Sequence, residues 1–205
     1  MKQKINESVP FYDSTENHLP VIGKKIYDCE VKIFHKNEIK KIKLSNYEGK
    51  WLILFFYPED FTFICPTELE DMANSYAELQ KMGVEVMSVS TDTAFVHKAW
   101  HDHSPTIKKI TYPMAADPTG VLCRSLGVYI KEEGVALRGT FIIDPKGVLK
   151  AYEVNDNSIG RNAEELVRKV QAAQYVSTHW GQVCPARWIP GKKTLTPGVN
   201  LVGKI

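Results

Sequence analysis

Trp51-Leu52-Ile53-Leu54-Phe55-Phe56-Tyr57 is an unbroken run of seven apolar residues, closed by Pro58. A strand alternates its side chains between two faces, so such a run must be covered on both sides. That places it in the middle of a sheet flanked by helices. Cys65-Pro66 follows shortly after and opens a helix expected from Cys65 to Met82. Leu69, Met72, Ala73, Tyr76, Leu79 and Met82 share one face of it. Pro66 suits the first helical turn, where its missing N–H is not needed, and Gly83 ends the helix.

Further strands are predicted at Cys29–His35, Ile39–Leu44, Val84–Ser90 and Tyr112–Ala115. A helix from Thr93 to His101, capped by Asp92, and a short one from Pro118 to Leu126 lie between them. Leu137–Ile143 and Val148–Val154 form a hairpin across Asp144-Pro145-Lys146-Gly147, and Asn162–Thr178 is the last long helix. Strands alternating with helices, then a hairpin and a helix, define an α/β fold with a mixed central sheet. Residues 1–20 read as a polar leader, 21–179 as one domain and 180–205 as an extended C-terminal arm. The arm is broken by prolines and glycines yet keeps Val183, Trp188, Ile189 and Leu195, so it must lie on its own domain or on a partner chain.

The chain has 205 residues and a net charge of +2 from 26 basic and 24 acidic side chains, which gives no support to a nucleic-acid or membrane-surface role. The lysines at 36, 40, 41 and 43 read as a solvated strand face. No signal-peptide core and no run of about 20 apolar residues is present, so a cytoplasmic, non-membrane protein is expected. Four cysteines without a Cys-x-x-Cys pair are too few for a disulfide scaffold.

Cys65 stands at the start of a helix, where unpaired N–H groups and the helix dipole favour a thiolate, the nucleophilic form. Thr62 and Pro58 precede it in the pattern Pro-x-x-x-Thr-x-x-Cys. A second Cys-Pro stands far downstream at Cys184-Pro185. One activated and one distant thiol point to a redox cycle. Cys29 and Cys123 carry no motif and read as packing residues. His97 and His101 have the spacing of paired metal ligands, but Lys98 stands where a metalloprotease needs its Glu; a solvated or packing helix face is the better reading, and no metal is expected.

The segment Phe55-Phe56-Tyr57-Pro58-x-Asp60-Phe61-Thr62-Phe63-x-Cys65-Pro66-Thr67-Glu68 resembles the active-site signature of typical two-cysteine peroxiredoxins. Ser88–Asp92, His97–His101, Asp117–Gly120, Arg138–Phe141, Gly160-Arg161 and Val183–Ala186 followed by Trp188 resemble later blocks of that family. The ending Leu201–Ile205 is similar to that of its bacterial alkyl hydroperoxide reductase branch. The resemblance implies a thioredoxin-like fold and a thiol-dependent peroxidase acting on hydrogen peroxide and alkyl hydroperoxides without cofactor or metal. It implies that Cys65 is the peroxidatic cysteine, shielded by Pro58, with Thr62 and Arg138 contacting peroxide and thiolate, and Glu68 and Arg161 orienting Arg138. Cys184 would be the resolving cysteine, contributed by the other protomer of a homodimer. The dimers would assemble into a ring, a decamer. Thioredoxin or a dedicated flavoprotein disulfide reductase would supply electrons.

Two rival readings are a general disulfide reductase, against which the lack of Cys-x-x-Cys argues, and a holdase chaperone as an added role. The Gly-Gly-Leu-Gly segment and the C-terminal Tyr-Phe that accompany easy over-oxidation in eukaryotic members are absent. A robust, bacterial-type enzyme is expected.

Overall fold

The computed structural model describes residues 17–204, so most of the leader expected over 1–20 lies outside the described residues. The long strands are β1 (Glu30–His35), β2 (Glu38–Lys43), β3 (Trp51–Phe56), β4 (Val84–Ser90), β5 (Met114–Ala116), β8 (Arg138–Ile143) and β9 (Leu149–Asn155). The helices are α1 (Cys65–Lys81), α2 (Ala94–His103), α3 (Val121–Ser125) and α4 (Ala163–Thr178). A small hairpin of β6 (Tyr129–Ile130) and β7 (Val135–Ala136) has no counterpart in the sequence expectations, because two-residue strands carry no periodic signal.

Seven strands form one sheet in the order β2-β1-β5-β4-β3-β8-β9. β3, β4 and β5 are parallel to one another, and the outer pairings are antiparallel, giving the mixed sheet expected. β3 is central and all six of its residues are buried. Ile53 and Phe55 face a core shared with Leu69 and Met72 of α1, Trp100 of α2 and Leu166 and Val170 of α4. Leu52, Leu54 and Phe56 face a second core with Leu122 and Cys123 of α3. Full burial of each such side chain stabilises the fold by about 1.5–3 kcal/mol.

Local signals set several boundaries. α4 starts at Asn162, whose side chain accepts from the N–H groups of Glu164 and Glu165. The β8–β9 turn is held by Asp144 Oδ1, which accepts from Lys146 N and Val148 N, with Gly147 at φ +76°. The cap of α2 differs from expectation. Thr93, one residue on, accepts from Val96 N, while Asp92 turns back to accept from Ser90 Oγ and Asp60 N. Two short polar residues in tandem compete for one cap, and the one with another partner loses it.

The C-terminal arm closes on itself and on its own domain. Val183 and Leu195 exchange backbone hydrogen bonds, and Trp188, 2% exposed, inserts beside Tyr175 of α4 with ring centroids 4.9 Å apart. Arg168 of α4 donates to Trp188 O at 3.3 Å.

Candidate active site

The loop from Pro58 to Ile64 carries the chain from the end of β3 to α1. Asp60 fastens it. Its carboxylate accepts from Tyr57 Oη at 2.7 Å and pairs with His97 Nδ1 at 2.8 Å, and its N–H donates to Asp92. Burial pushes the Asp60 carboxyl up, and the His97 bond opposes this. His97 is wholly buried, with Nε2 against Ala115 O, so it is a packing residue, as the sequence reading favoured. Phe61 adopts φ +57°, a conformation that strains a bulky residue by about 1–2 kcal/mol, and its ring meets Trp100 at 5.8 Å.

Cys65 is the first residue of α1 and is 1% exposed. Its Sγ lies 3.5 Å from Arg138 Nη1. Arg138 opens β8, 73 positions away, and is 3% exposed. Its inward direction follows from register. Thr140 pairs with Phe55 and Ile142 with Ile53, so by the strand's two-residue period Arg138 shares the face that α1 covers. Gly139 beside it must stay small, because a Cβ there would meet Val128 and Phe141 at 2.9 Å.

Beneath the sulfur lies a buried ion-pair network. Glu68 Oε2 accepts from Arg138 Nη1 at 2.6 Å, and Arg161 grips the same carboxylate through Nε at 2.8 Å and Nη2 at 3.0 Å. Arg161 also donates to Gly139 O and Thr140 Oγ1 and stacks on Phe55, its guanidinium carbon 3.5 Å from the ring centre. Burial pushes the Glu68 carboxyl up, but the bonds and charges of Arg161 and Arg138 outweigh it and hold the group below its ordinary value. Burial draws Arg161 down, against the pull of Glu68. Both oxygens of Glu68 are bonded, as a buried carboxylate requires.

A cleft of about 330 Å³ opens above Cys65, with Pro58, Thr62 and Arg138 in its wall. Thr62 Oγ1 donates to Glu59 O at 3.0 Å, which leaves its lone pairs open. The structure therefore brings together Pro58, Thr62, Cys65 and Arg138, with Glu68 and Arg161 behind them. Cys184 is not among them. It lies half-buried on the arm, Sγ 4.0 Å from Ala172 O of α4, and all four cysteines are free thiols. Burial pushes the Cys184 thiol up, partly offset by the charge of Arg168. Cys29 is pushed up to about 12 by burial and the charges of Asp117 and Asp28. Burial and the charge of Asp117 also push the Cys123 thiol well above its ordinary value.

Sequence reasoning missed Asn157, whose carbonyl accepts from Arg138 Nε at 2.9 Å. A backbone carbonyl has no sequence signal. It also missed Glu59, Glu133 and Val135 in the cleft wall. Among the described residues no cluster of side chains suits a metal ion, and no helix is long and apolar enough to cross a membrane.

A buried thiol at the end of a central strand, held against a fixed guanidinium and open to one small cleft, defines a thioredoxin-like protein built for thiol chemistry. Comparison with known proteins narrows this. Residues 22–152 match the AhpC/TSA family, and residues 172–200 match the C-terminal domain of 1-Cys peroxiredoxin. The chain is 55% identical over 170 residues to alkyl hydroperoxide reductase C of Staphylococcus epidermidis, covering 83% of this chain and 90% of that one. It is 52% identical over 189 residues to the Staphylococcus aureus protein of the same name, covering 91% of this chain and 100% of that one. Among solved structures, Enterococcus faecalis AhpC matches with a TM-score of 0.79 and 51% identity, covering 82% of this chain and 100% of that one. Reduced Plasmodium vivax 2-Cys peroxiredoxin matches with a TM-score of 0.81 and 29% identity, covering 84% and 91%.

The chain belongs to the AhpC/TSA family of peroxiredoxins and is a thiol-dependent peroxidase with a thioredoxin-like fold. Membership carries a hydroperoxide substrate and an oligomeric assembly. Nothing in these comparisons supports the holdase role weighed from the sequence.

Proposed function

We propose that Cys65 is the peroxidatic cysteine and that the chain reduces hydrogen peroxide and alkyl hydroperoxides by a two-cysteine cycle. The observation that carries this reading is the 3.5 Å approach of Arg138 Nη1 to a buried Cys65 Sγ facing the cleft. The thiolate attacks one peroxide oxygen; the O–O bond breaks, its electron pair stays with the departing oxygen, and a proton completes water or alcohol. Cys65 is left as sulfenic acid. Arg138 stabilises the charge before and during attack, and because Asn157 O and Glu68 hold it, with Glu68 itself fixed by Arg161, it does not reorganise. Thr62 offers its hydroxyl to the peroxide, and Pro58 limits water at the sulfur.

The Cys184 thiol of a second protomer then displaces water from the sulfenic acid, forming a disulfide between the two chains. Two electrons and two protons from thioredoxin or a dedicated flavoprotein disulfide reductase restore both thiols. A disulfide needs about 2.05 Å between sulfurs, so the first turn of α1 and the arm must both open. Exposed Tyr152 and Val154 on the edge strand β9 favour a homodimer through that edge, and exposed Phe61 and Phe95 offer a second apolar surface for building a decameric ring. The site needs no cofactor or metal, and the reducing chemistry suits the cytoplasm.

The test is peroxide consumption with a thiol reductant. Wild type should turn over and Cys65→Ser should not. With thioredoxin as the reductant, Cys184→Ser should reduce one equivalent of peroxide and stop. On non-reducing gels of peroxide-treated protein a dimer band should appear and vanish in either variant. Full turnover by Cys65→Ser would overturn the reading.

A further inference from the structure

The wall of the Cys65 cleft divides by chemistry. Pro58, Phe63, Ile64 and Val135 are apolar, while Glu59 and Glu133 are acidic. Glu59 is in the loop between β3 and α1, and Glu133 is on the β6–β7 turn, so unrelated segments bring the two carboxylates to one opening. Both residues are exposed. Among the described residues neither has an ion-pair partner. Arg138 is the one cation among the described residues that line the cleft, and it lies at the bottom, 3% exposed and bound to Glu68. Glu68 is shared with Arg161, so the positive charge that remains beneath the sulfur is buried, whereas both rim carboxylates face solvent. An approaching molecule therefore meets two exposed carboxylates before it meets the guanidinium.

We infer that Glu59 and Glu133 select substrates by charge, favouring uncharged hydroperoxides with apolar substituents over hydroperoxides that carry a carboxylate. The inference rests on the proposal that Cys65 is the reacting sulfur. Apolar surface at Phe63, Ile64 and Val135 accepts an uncharged organic substituent at no desolvation cost. A negative substituent is repelled on approach, and rim charges act chiefly on association rate and in a salt-dependent way.

The test measures the second-order rate of Cys65 oxidation in the full-length protein by a tertiary hydroperoxide bearing a carboxylate and by the methyl ester of the same compound. The ester should react about three- to tenfold faster at low ionic strength. The ratio should shrink toward unity as salt shortens the screening length from about 10 Å at 0.1 M to about 3 Å at 1 M. Glu59→Gln and Glu133→Gln should each narrow the ratio by raising the rate of the carboxylate, and the double variant should narrow it most. Equal rates in wild type, or a ratio that the glutamine variants leave unchanged, would overturn selection by these residues. Reduction of both compounds by Cys65→Ser would instead sink the assignment of the sulfur. The two failures are thus read from different proteins.

Discussion

Glu68 and Arg161 are joined by two parallel hydrogen bonds, Nε to Oε1 at 2.8 Å and Nη2 to Oε2 at 3.0 Å, across 93 positions of sequence. The pair ties the first turn of α1 to the segment just before α4. It also leaves one edge of the same carboxylate for Arg138. A residue touching neither cleft nor sulfur therefore sets where the guanidinium beside Cys65 sits.

Replacing Glu68 with Gln should lower stability by about 3–5 kcal/mol at neutral pH, because two buried guanidiniums lose their counter-charge. The rate of reaction with peroxide should fall with it, by about tenfold or more. The pH dependence has a definite sign. The folded-state Glu68 carboxyl lies below its ordinary value, so its contribution is complete above the unfolded value of about 4.3 and fades as pH falls toward the folded one. Urea melts of wild type and Glu68→Gln should converge below about pH 4. The gap should hold steady from pH 7 down to about pH 5, and one that does not begin to close as the pH is lowered past about 4 would contradict the ionised pair.

His97→Ala should cost about 3–5 kcal/mol, since it leaves the Asp60 carboxylate buried without its imidazole partner. His97→Ala combined with Asp60→Asn should recover part of the loss. Thermal melts of the double-mutant cycle give the coupling, and additivity would show that the contact carries no energy.

Cys29 and Cys123 should be nearly inert. With Cys29 pushed up to about 12, its thiolate fraction at pH 8 is roughly a thousandfold below that of an ordinary thiol. Mass spectrometry after timed alkylation of native Cys65→Ser/Cys184→Ser protein should find both unmodified long after a small-molecule thiol has reacted. Modification at the free-thiol rate would show that burial does not protect them.

Trp188→Ala should loosen the C-terminal arm. The ring is buried against α4, and its Nε1 also bonds Lys192 O at 3.0 Å. Amide hydrogen exchange at Val183 and Leu195 should rise sharply while the β3 amides keep their protection. Loss of protection throughout the sheet would mean that the arm is part of the global folding unit.

Over-oxidation provides the remaining test. A Cys184 thiol that reaches Cys65 before a second peroxide keeps the sulfur out of the sulfinic state. Protein cycled with reductant and modest peroxide should show little sulfinic acid on Cys65 by mass spectrometry. Rapid accumulation would contradict the expectation of a robust enzyme.

The sequence alone determined the main elements and the place of Cys65 among them. The apolar run Trp51–Tyr57 predicts a strand covered on both faces, and β3 is buried throughout. Cys65-Pro66 predicts a helix start, and α1 begins at Cys65. These signals are local: periodicity, proline and glycine act within a few residues. Only the tertiary structure decided the surroundings of the sulfur. Arg138 reads as any strand-end arginine until the pairing of β8 with β3 turns it toward α1. Asn157 contributes a carbonyl that any residue has. Glu59 and Glu133 become neighbours of one cleft only when the β6–β7 turn, too short to announce itself, folds over the loop before α1. The capping of α2 by Thr93 rather than Asp92 has the same origin, since Asp92 is claimed by the Asp60 N–H from another loop. Contacts across tens of residues are chosen by burial and register, which no short window of sequence contains.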